Sequence, residues 1–251
     1  MKLIDSLYKM NEAEWIVLGI PFSGKVSALK GSEKAPTSLR SHFQDYWTYD
    51  MRRQKELADI PIFDAGDVKA KSYASLEKEL SKKIRDIKKK NWKAKILFIG
   101  GDHSVTPIIT KQLKIQSFLA LDAHFDLTNS LNGDKNSHAC ASKRVFEQNV
   151  EMHLRGIRSS SREEHNFAIL NGIDWRHDVG FNGNVDYFSL DVDAMDPCFV
   201  GTGTPEMFGA TPEAVVNTIR NTNFRYFDIM EWIPEQGYPY LVQIVKEVLF
   251  K

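Results

Sequence analysis

Three short segments of the sequence combine acidic residues and histidines at spacings that could bind metal ions. They are GGDHS (100–104), DAHFD (122–126) and DVDAMDP (191–197). Alternate residues of an extended segment share a face, so Asp122, His124 and Asp126 would point the same way, as would Asp191 and Asp193. So many carboxylates close together are unfavourable unless protons or cations neutralise them. The spacing therefore predicts a metal site.

The candidate ligands are carboxylates and imidazoles, with no thiolate among them. They are His103, Asp122, His124, Asp126, Asp191 and Asp193. The four aspartates would balance the charge of two divalent ions, and such a ligand set suits manganese, with cobalt, nickel or iron as alternatives. Two ions roughly 3.5–4 Å apart would share a water molecule and hold it as hydroxide near neutral pH. We therefore expect a hydrolase in which this hydroxide is the nucleophile.

Each segment alone also has a purely structural interpretation. Gly-Gly-Asp is common in turns, a histidine between two acids can be a solvated strand end, and Asp196-Pro197 can close a turn. All three segments, however, directly follow short apolar runs. This shared placement favours a common site over three unrelated turns.

The apolar runs that would position these segments are typical of buried strands. They cover residues 15–18, 60–63, 96–99, 118–121, 185–190 and 226–230. Helical patterns lie between them: one contains Leu76, Leu80, Ile84 and Ile87 on one face, another begins at Thr211-Pro212, and a third includes residues 241–248. The alternation of strand and helix predicts an α/β fold whose parallel sheet binds ligands beyond the carboxyl ends of its strands.

Composition limits the range of functions. The 251 residues, 42% of them hydrophobic, predict a single domain covering 1–251. The 33 basic and 33 acidic residues cancel, so we expect neither a nucleic acid nor a membrane surface as a partner. Cys140 and Cys198 are far apart and form no CxxC pair, which favours a reducing, cytoplasmic location. Charged residues at Lys9, Glu12 and Glu14 interrupt the N-terminal apolar residues, so no signal peptide is expected.

The motifs GGDHS, DAHFD and SLDVDAMDP resemble those of the ureohydrolase family, which includes arginases, agmatinases, guanidinobutyrases and formimidoylglutamases. Further similarity extends from LGIPF through FDAGDV, SHAC, GIRSSSREE and GTGTPE to FDIMEW, so it covers nearly the whole chain. The resemblance implies a three-layer αβα fold with a central, mostly parallel sheet of about eight strands. It also implies two Mn²⁺ ions per subunit and assembly as a homotrimer or homohexamer.

The resemblance assigns roles to the candidate ligands. Asp122 and Asp191 would bridge the two ions. The remaining ligands would be His103 and Asp126 on one ion, and His124 and Asp193 on the other. Asp126 would also hold the bridging hydroxide.

Two further residues match the family's catalytic positions. His138, in NSHAC, matches the histidine that is assigned to proton transfer to the departing amine. Glu231, in FDIMEW, matches the glutamate that pairs with the planar substrate guanidinium. Asp228 would either assist Glu231 or support the site without touching the substrate. Thr204, in GTGTP, resembles a substrate-loop residue and could equally stabilise its turn.

Agmatine is the expected guanidino substrate. Arginases usually have Ile-Asn after DAHxD and His-Gly at the later histidine, whereas this chain has LT at 127–128 and HA at 138–139. SHACASKRV and GIRSSSREE are more similar to the agmatinase branch, which gives putrescine and urea without an organic cofactor. The alternatives are arginase, guanidinobutyrase or formimidoylglutamase activity, an inactive metal-binding regulator, and a two-metal phosphoesterase that uses Arg155 and Arg158.

Overall fold

Eight parallel strands form the sheet at the centre of the computed structural model, which describes residues 2–3 and 6–251. They are β1 (Trp15–Gly19), β2 (Ile62–Asp67), β3 (Lys95–Ile99), β4 (Ser117–Leu121), β5 (Glu151–Arg155), β6 (Asp174–Arg176), β7 (Tyr187–Asp191) and β8 (Tyr226–Met230). Their order across the sheet is β2-β1-β3-β8-β7-β4-β5-β6, and every neighbouring pair is parallel. Met1, Ile4 and Asp5 of the predicted domain lie outside the described residues. The predicted α/β sheet is confirmed.

Helices cover both faces of this sheet. They are α1 (Ala35–Phe43), α2 (Tyr73–Lys90), α3 (Thr106–Leu113), α4 (Ala141–Phe146), α5 (Arg162–Leu170), α6 (Pro212–Asn221) and α7 (Tyr238–Leu249). One hydrophobic core contains residues of α1, α6 and α7, and the other contains residues of α2 to α5. Within β1, Trp15 and Val17 belong to the first core, whereas Ile16 and Leu18 belong to the second. This alternation gives the predicted three-layer αβα arrangement.

The predicted helices are present, and α6 begins at the predicted cap, Thr211. Ser72 caps α2, whose four apolar residues of the predicted face are buried, and the side chain of Thr211 accepts the N–H of Ala214 at the start of α6. Residues of α7 also match the predicted C-terminal helix. Among the described residues, no helix has both the length and the apolar character needed to cross a membrane.

Several strand boundaries differ from the prediction. The run 60–63 becomes strand only from Ile62, because Leu57–Asp59 forms a 3₁₀ turn and Ile60 ends it. The run 185–190 forms strand at Tyr187–Asp191. Strands β5 and β6 were not predicted, since β5 contains His153 and Arg155 among its apolar residues and β6 is a three-residue edge strand.

Short elements complete the fold. They are the antiparallel pair Tyr49–Asp50 and Lys55–Glu56, the parallel pair Gly183–Asn184 and Thr222–Asn223, and the 3₁₀ turns Ser32–Lys34, Leu57–Asp59, His103–Val105, His138–Cys140 and Val192–Ala194. Two of these turns, His103–Val105 and Val192–Ala194, contain residues of the metal-ligand motifs, and a third begins at His138. The turns therefore carry site residues that the strands alone would not position.

A buried ion pair fixes α1 against β2. The guanidinium of Arg40 donates to both carboxylate oxygens of Asp64, at 2.7 and 3.0 Å, and to Asp67 at 2.6 Å. The side chains of Arg40 and Asp64 are only 2% and 0% exposed. Two parallel hydrogen bonds satisfy the buried charges, so removing one partner would leave the other without compensation.

Replacing Arg40 with methionine should lower the free energy of unfolding by about 3–5 kcal/mol, because Asp64 would stay buried without its cation. Urea denaturation monitored by circular dichroism measures this change. Lys34→Met, which removes an exposed pair with Glu235, is the control and should change stability by less than about 1 kcal/mol. Equal losses in the two variants would contradict a structural role for the buried pair.

Candidate metal centre and active site

Four neighbouring strands in the middle of the sheet end at the candidate site. They are β3, β8, β7 and β4, in that order, and because they are parallel their carboxyl ends lie at one edge. The chain continues from β3 to His103, from β4 to Asp122 and from β8 to Glu231, while Asp191 is the last residue of β7. The strand order thus brings together segments that are far apart in the sequence.

His103 is surrounded by three carboxylates. Its Nδ1 atom lies 3.3 Å from Asp122 Oδ2, 3.2 Å from Asp126 Oδ2 and 3.2 Å from Asp191 Oδ2. Ligand atoms of His103, Asp122 and Asp191 lie within 4.8 Å of one another, a spacing that suits one metal ion. The four residues are buried. The structure therefore places together the four side chains that the sequence analysis assigned to one ion.

His124 forms a second ligand group on the other side of Asp122. Its Nδ1 atom lies 2.9 Å from Asp193 Oδ2 and 3.6 Å from Asp122 Oδ1, and ligand atoms of these three residues lie within 4.8 Å of one another. Asp122 presents a different oxygen to each group, which fits the bridging role assigned to it. Asp191 belongs to the first group alone in this structure, so its bridging role stays a prediction.

The electrostatics of these groups fit a bound cation. His103 Nδ1 and Asp122 Oδ2 are buried and have no hydrogen-bond partner, a costly arrangement unless a cation binds between them. Burial and the carboxylates of Asp193 and Asp122 raise the pKa of Asp191 well above its usual value. Burial and Asp122 likewise raise the pKa of Asp126 to about 6. Metal ions would relieve the repulsion that causes both shifts.

Hydrogen bonds behind the site orient the ring of His103. Ser189 Oγ lies 3.0 Å from His103 Nε2 and donates to Asp228 Oδ1 at 2.6 Å. Because the Ser189 proton is committed to Asp228, Ser189 accepts from Nε2–H and leaves the Nδ1 lone pair facing the carboxylates. Asp228 is fully buried and also accepts from Tyr187 and Thr106. These contacts indicate that Asp228 supports the ring of His103 and does not assist Glu231 directly.

The chain leaves β4 and β7 in turns rather than in extended segments. Strand β4 ends at Leu121, and the backbone of Asp126 is left-handed, with φ of 52°. Asp193 lies in the 3₁₀ turn Val192–Ala194, where its N–H donates to Asp191 Oδ1 at 3.0 Å. The prediction that an extended backbone aligns alternate residues is therefore wrong for Asp126 and for Asp193. Turns bring these side chains together instead.

Glu231 lies one residue beyond β8 and also has a left-handed backbone, with φ of 62°. Its N–H donates to Gly101 O at 2.8 Å, which fixes this turn against the GGDHS segment. Its Oε1 atom accepts the N–H of His103 at 2.9 Å and lies 3.1 Å from His138 Nδ1. The carboxylate is thereby held beside the first ligand group.

His138 joins the site from the loop after the DAHFD segment. Burial opposes a charge on its ring, but the hydrogen bond with Glu231 raises its pKa above the usual value. Ser27, in the loop between β1 and α1, contacts the other ring nitrogen: its Oγ lies 2.8 Å from Nε2, and its N–H donates to Nε2 at 3.1 Å. Ser27 was not predicted as a site residue, and its only signal in the sequence is its position shortly after LGIPF.

A loop after β7 also contacts the ligands. Thr204 Oγ1 donates to Asp193 Oδ2 at 3.3 Å, so this hydroxyl touches a ligand rather than only closing a turn. Glu206 Oε1 lies 3.4 Å from His124 Nε2, on the side of the ring that faces away from Asp193. Glu206 was not predicted as a site residue, although it belongs to the GTGTPE motif. A carboxylate on the second nitrogen of a ligating histidine orients its ring.

The two arginines considered as phosphate ligands have other partners. Arg155 is buried and pairs with Asp174 at 2.6 Å. Arg158 donates to five backbone carbonyls, including those of Asp193 and Glu206. Because both guanidinium groups are engaged, the arginine cluster that a phosphoesterase requires is not formed by this pair.

Known proteins resemble this chain over nearly its full length. The family model described as "Arginase family" matches residues 13–240. An agmatinase from Pyrococcus horikoshii is 34% identical over 239 residues, which cover 88% of this chain and 84% of that protein. An N(1)-aminopropylagmatine ureohydrolase from Thermococcus kodakarensis is 33% identical over 249 residues, which cover 92% and 86% of the two chains.

The fold is shared with a solved structure as well. The agmatine ureohydrolase of Thermoplasma volcanium superposes with a TM-score of 0.88 at 24% identity, covering 99% of this chain and 92% of that chain. Its central sheet and flanking helices therefore correspond to those described above. The family model matches most of the chain, and two relatives are more than 30% identical to it over at least 88% of its length. The protein therefore belongs to the arginase family of hydrolases.

Proposed function

We propose that the protein is a ureohydrolase that binds two manganese ions and cleaves agmatine to putrescine and urea. The observation that carries this proposal is the pair of ligand groups sharing Asp122, with the carboxylate of Glu231 fixed beside them. The names of the two relatives, an agmatinase and an N(1)-aminopropylagmatine ureohydrolase, support chemistry on a guanidino group.

Six side chains would hold the metal ions. They are His103, Asp122, His124, Asp126, Asp191 and Asp193. Carboxylates and imidazoles without a thiolate suit manganese, and four aspartates balance two divalent ions in formal charge. When bound, the ions would supply a water molecule of lowered pKa as the nucleophile.

The protein's own groups would bind the guanidinium and move the proton. Glu231 has Oε1 committed to the His103 N–H and to His138, which leaves Oε2 to accept from the planar cation. His138 contacts the same carboxylate and would deliver a proton to the departing amine. Asp126, buried in the first ligand group, would orient the attacking water.

The loop near Glu231 favours a substrate with a cationic tail. A Cβ atom at Gly203 would lie 3.6 Å from Glu231 Oε2, so the loop passes close to the proposed guanidinium position. Three residues later, Glu206 is 37% exposed at its side chain and pairs with no Lys or Arg among the described residues. Its carboxylate is available to an ammonium group such as the one that agmatine carries.

A substrate carboxylate would find less support at this site. The ammonium of Lys25, whose backbone contacts His138, lies 2.5 Å from Asp134 and is therefore already paired. Arginine, guanidinobutyrate and formimidoylglutamate all carry a carboxylate, whereas agmatine does not. We therefore favour agmatine over these three substrates.

We further propose that the enzyme works in the cytoplasm as a homotrimer or homohexamer. The two cysteines, which are far apart in the sequence and form no CxxC pair, support the cytoplasmic location. The oligomeric state rests on the resemblance to the ureohydrolase family. An inactive regulator is less well supported, because all six ligands, His138 and Glu231 meet in one place.

Hydrolysis should be fastest with agmatine when the protein is incubated with Mn²⁺ and a panel of agmatine, arginine, guanidinobutyrate and formimidoylglutamate. Urea release measures cleavage of the three guanidino compounds, and glutamate release measures cleavage of formimidoylglutamate, whose amidine yields formamide instead of urea. We expect kcat/KM for arginine to be lower by about 100-fold or more, because its carboxylate would meet Glu206 without a free cation. Chelation of the metal should abolish activity. Efficient cleavage of arginine with no cleavage of agmatine would reject the proposed substrate.

Asp126→Asn should lower kcat by about 100-fold or more, since the amide neither binds the metal as well nor orients the water. Bound manganese, measured by mass spectrometry of the protein, should also fall. Asp196→Asn is the matched control, because Asp196 caps a turn at Cys198 and Gly209 rather than facing the ligand groups. Activity and metal content that are the same in both variants would contradict the mechanism.

Glu206→Gln should raise KM for agmatine about fivefold, because the variant loses one partly exposed ion pair and its contribution to the binding free energy. The comparison substrate is butylguanidine, whose tail is neutral and whose KM should change by less than about twofold on the same scale. Because Glu206 also contacts His124, an equal loss of kcat with both substrates would assign it to ligand orientation instead of tail binding.

A further inference from the structure

The ring of His138 is held from both sides. Its Nδ1 atom lies 3.1 Å from Glu231 Oε1, and its Nε2 atom lies 2.8 Å from Ser27 Oγ. The N–H of Ser27 also donates to Nε2, at 3.1 Å. Ser27 thus supplies two of the three polar contacts of this ring, and it lies 111 residues away from His138 in the sequence.

These contacts define which nitrogen of the neutral ring carries the proton. A backbone N–H can only donate, so Nε2 accepts from Ser27 and the ring proton lies on Nδ1, where it donates to Glu231. When the ring takes up a second proton, Nε2–H can no longer accept. Of the two Ser27 groups, only the hydroxyl oxygen can then accept from Nε2–H.

The loop that carries Ser27 is fixed to the loop that carries His138. Lys25 O accepts the N–H of His138 at 3.3 Å, and the N–H of Lys25 donates to Asp102 Oδ2 at 2.8 Å. The ammonium of Lys25 lies 2.5 Å from Asp134, four residues before His138. These three contacts of Lys25 therefore hold the neighbouring Ser27 beside the ring of His138.

We propose that Ser27 is a positioning residue for His138. Its hydroxyl holds the ring against Glu231 and accepts from Nε2–H when His138 is protonated. In that state the proton on Nδ1, on the Glu231 side of the ring, would pass to the departing amine. The negative charges of Glu231, Asp126 and Asp102 also act on the ring. Glu231 contacts Nδ1, so Ser27 is the neutral acceptor at Nε2. This assignment rests on the proposed function for its catalytic consequence.

Ser27→Ala keeps the backbone N–H and removes the hydroxyl, so it tests the positioning role directly. With agmatine and Mn²⁺, we expect kcat to fall about 10-fold or more and KM to change by less than about threefold. In a plot of kcat against pH, the alkaline limb should move to lower pH by about one unit. The protonated ring of His138 has lost a hydrogen-bond acceptor in this variant, so its pKa falls. Ser27→Thr retains a hydroxyl and should restore both values.

Ser23→Ala is the matched control in the same loop. Ser23 Oγ donates to Glu33 rather than to His138, so kcat and the pH profile should match those of the unaltered protein. If Ser27→Ala and Ser27→Thr behave alike, or if the alkaline limb does not move in Ser27→Ala, the assignment is overturned. A loss of thermal stability in Ser27→Ala with normal kcat would overturn it as well.

A second measurement separates this inference from the proposed function. NMR of the His138 Cε1–Hε1 signal, in protein prepared without paramagnetic ions, gives the ring pKa with no need for turnover. It should be lower by about one unit in Ser27→Ala and unchanged in Ser23→Ala. If no guanidino compound yields urea but the ring pKa moves as expected, the proposed function fails and the Ser27 contact stands. An unmoved ring pKa rejects the Ser27 assignment.

Discussion

The crowding of buried carboxylates is the constraint on which the rest of the structure depends. Asp122, Asp126 and Asp191 all approach one nitrogen of His103 within 3.3 Å, although burial and mutual repulsion oppose such a group of negative charges. The core of the protein tolerates this arrangement only when bound cations or protons compensate the charge. A parallel sheet meets the geometric requirement, because four adjacent strands end at the same edge and supply their acids from one side.

The turns at that edge decide which way each acid points. Asp126 and Glu231 adopt left-handed backbone conformations that residues other than glycine rarely adopt. Such conformations persist where surrounding contacts hold them, and the N–H of Glu231 is indeed bonded to Gly101. Two of the seven non-glycine residues with left-handed backbones among the described residues are thus the ones that would touch water and the guanidinium. The sheet supplies their position, and the turns supply their direction.

The sequence predicted the fold class, six of the eight strands along the chain and the proximity of the six candidate ligands, because each motif directly follows an apolar run in the chain. It did not predict how those residues meet, since φ values of single residues leave no periodic pattern. Ser27 and Glu206 were missed for another reason. Each reaches the site from a loop whose contacts, to His138 and His124, exist only after distant strands have paired. Strand β6 was too short for a pattern.

Glu231 links the two halves of the proposed chemistry. One oxygen accepts both the backbone N–H of the ligand His103 and a hydrogen bond from the ring of His138. A guanidinium that pairs with the other oxygen would therefore be placed relative to the metal ligands and to the proton donor at once. Under the proposed function, a substrate without a planar cation would leave Oε2 of this buried carboxylate without a charged partner, so the group that fixes the geometry would also select the substrate. Ser27 extends the same chain of contacts by one residue, since the ring is fixed only when both of its nitrogens are held.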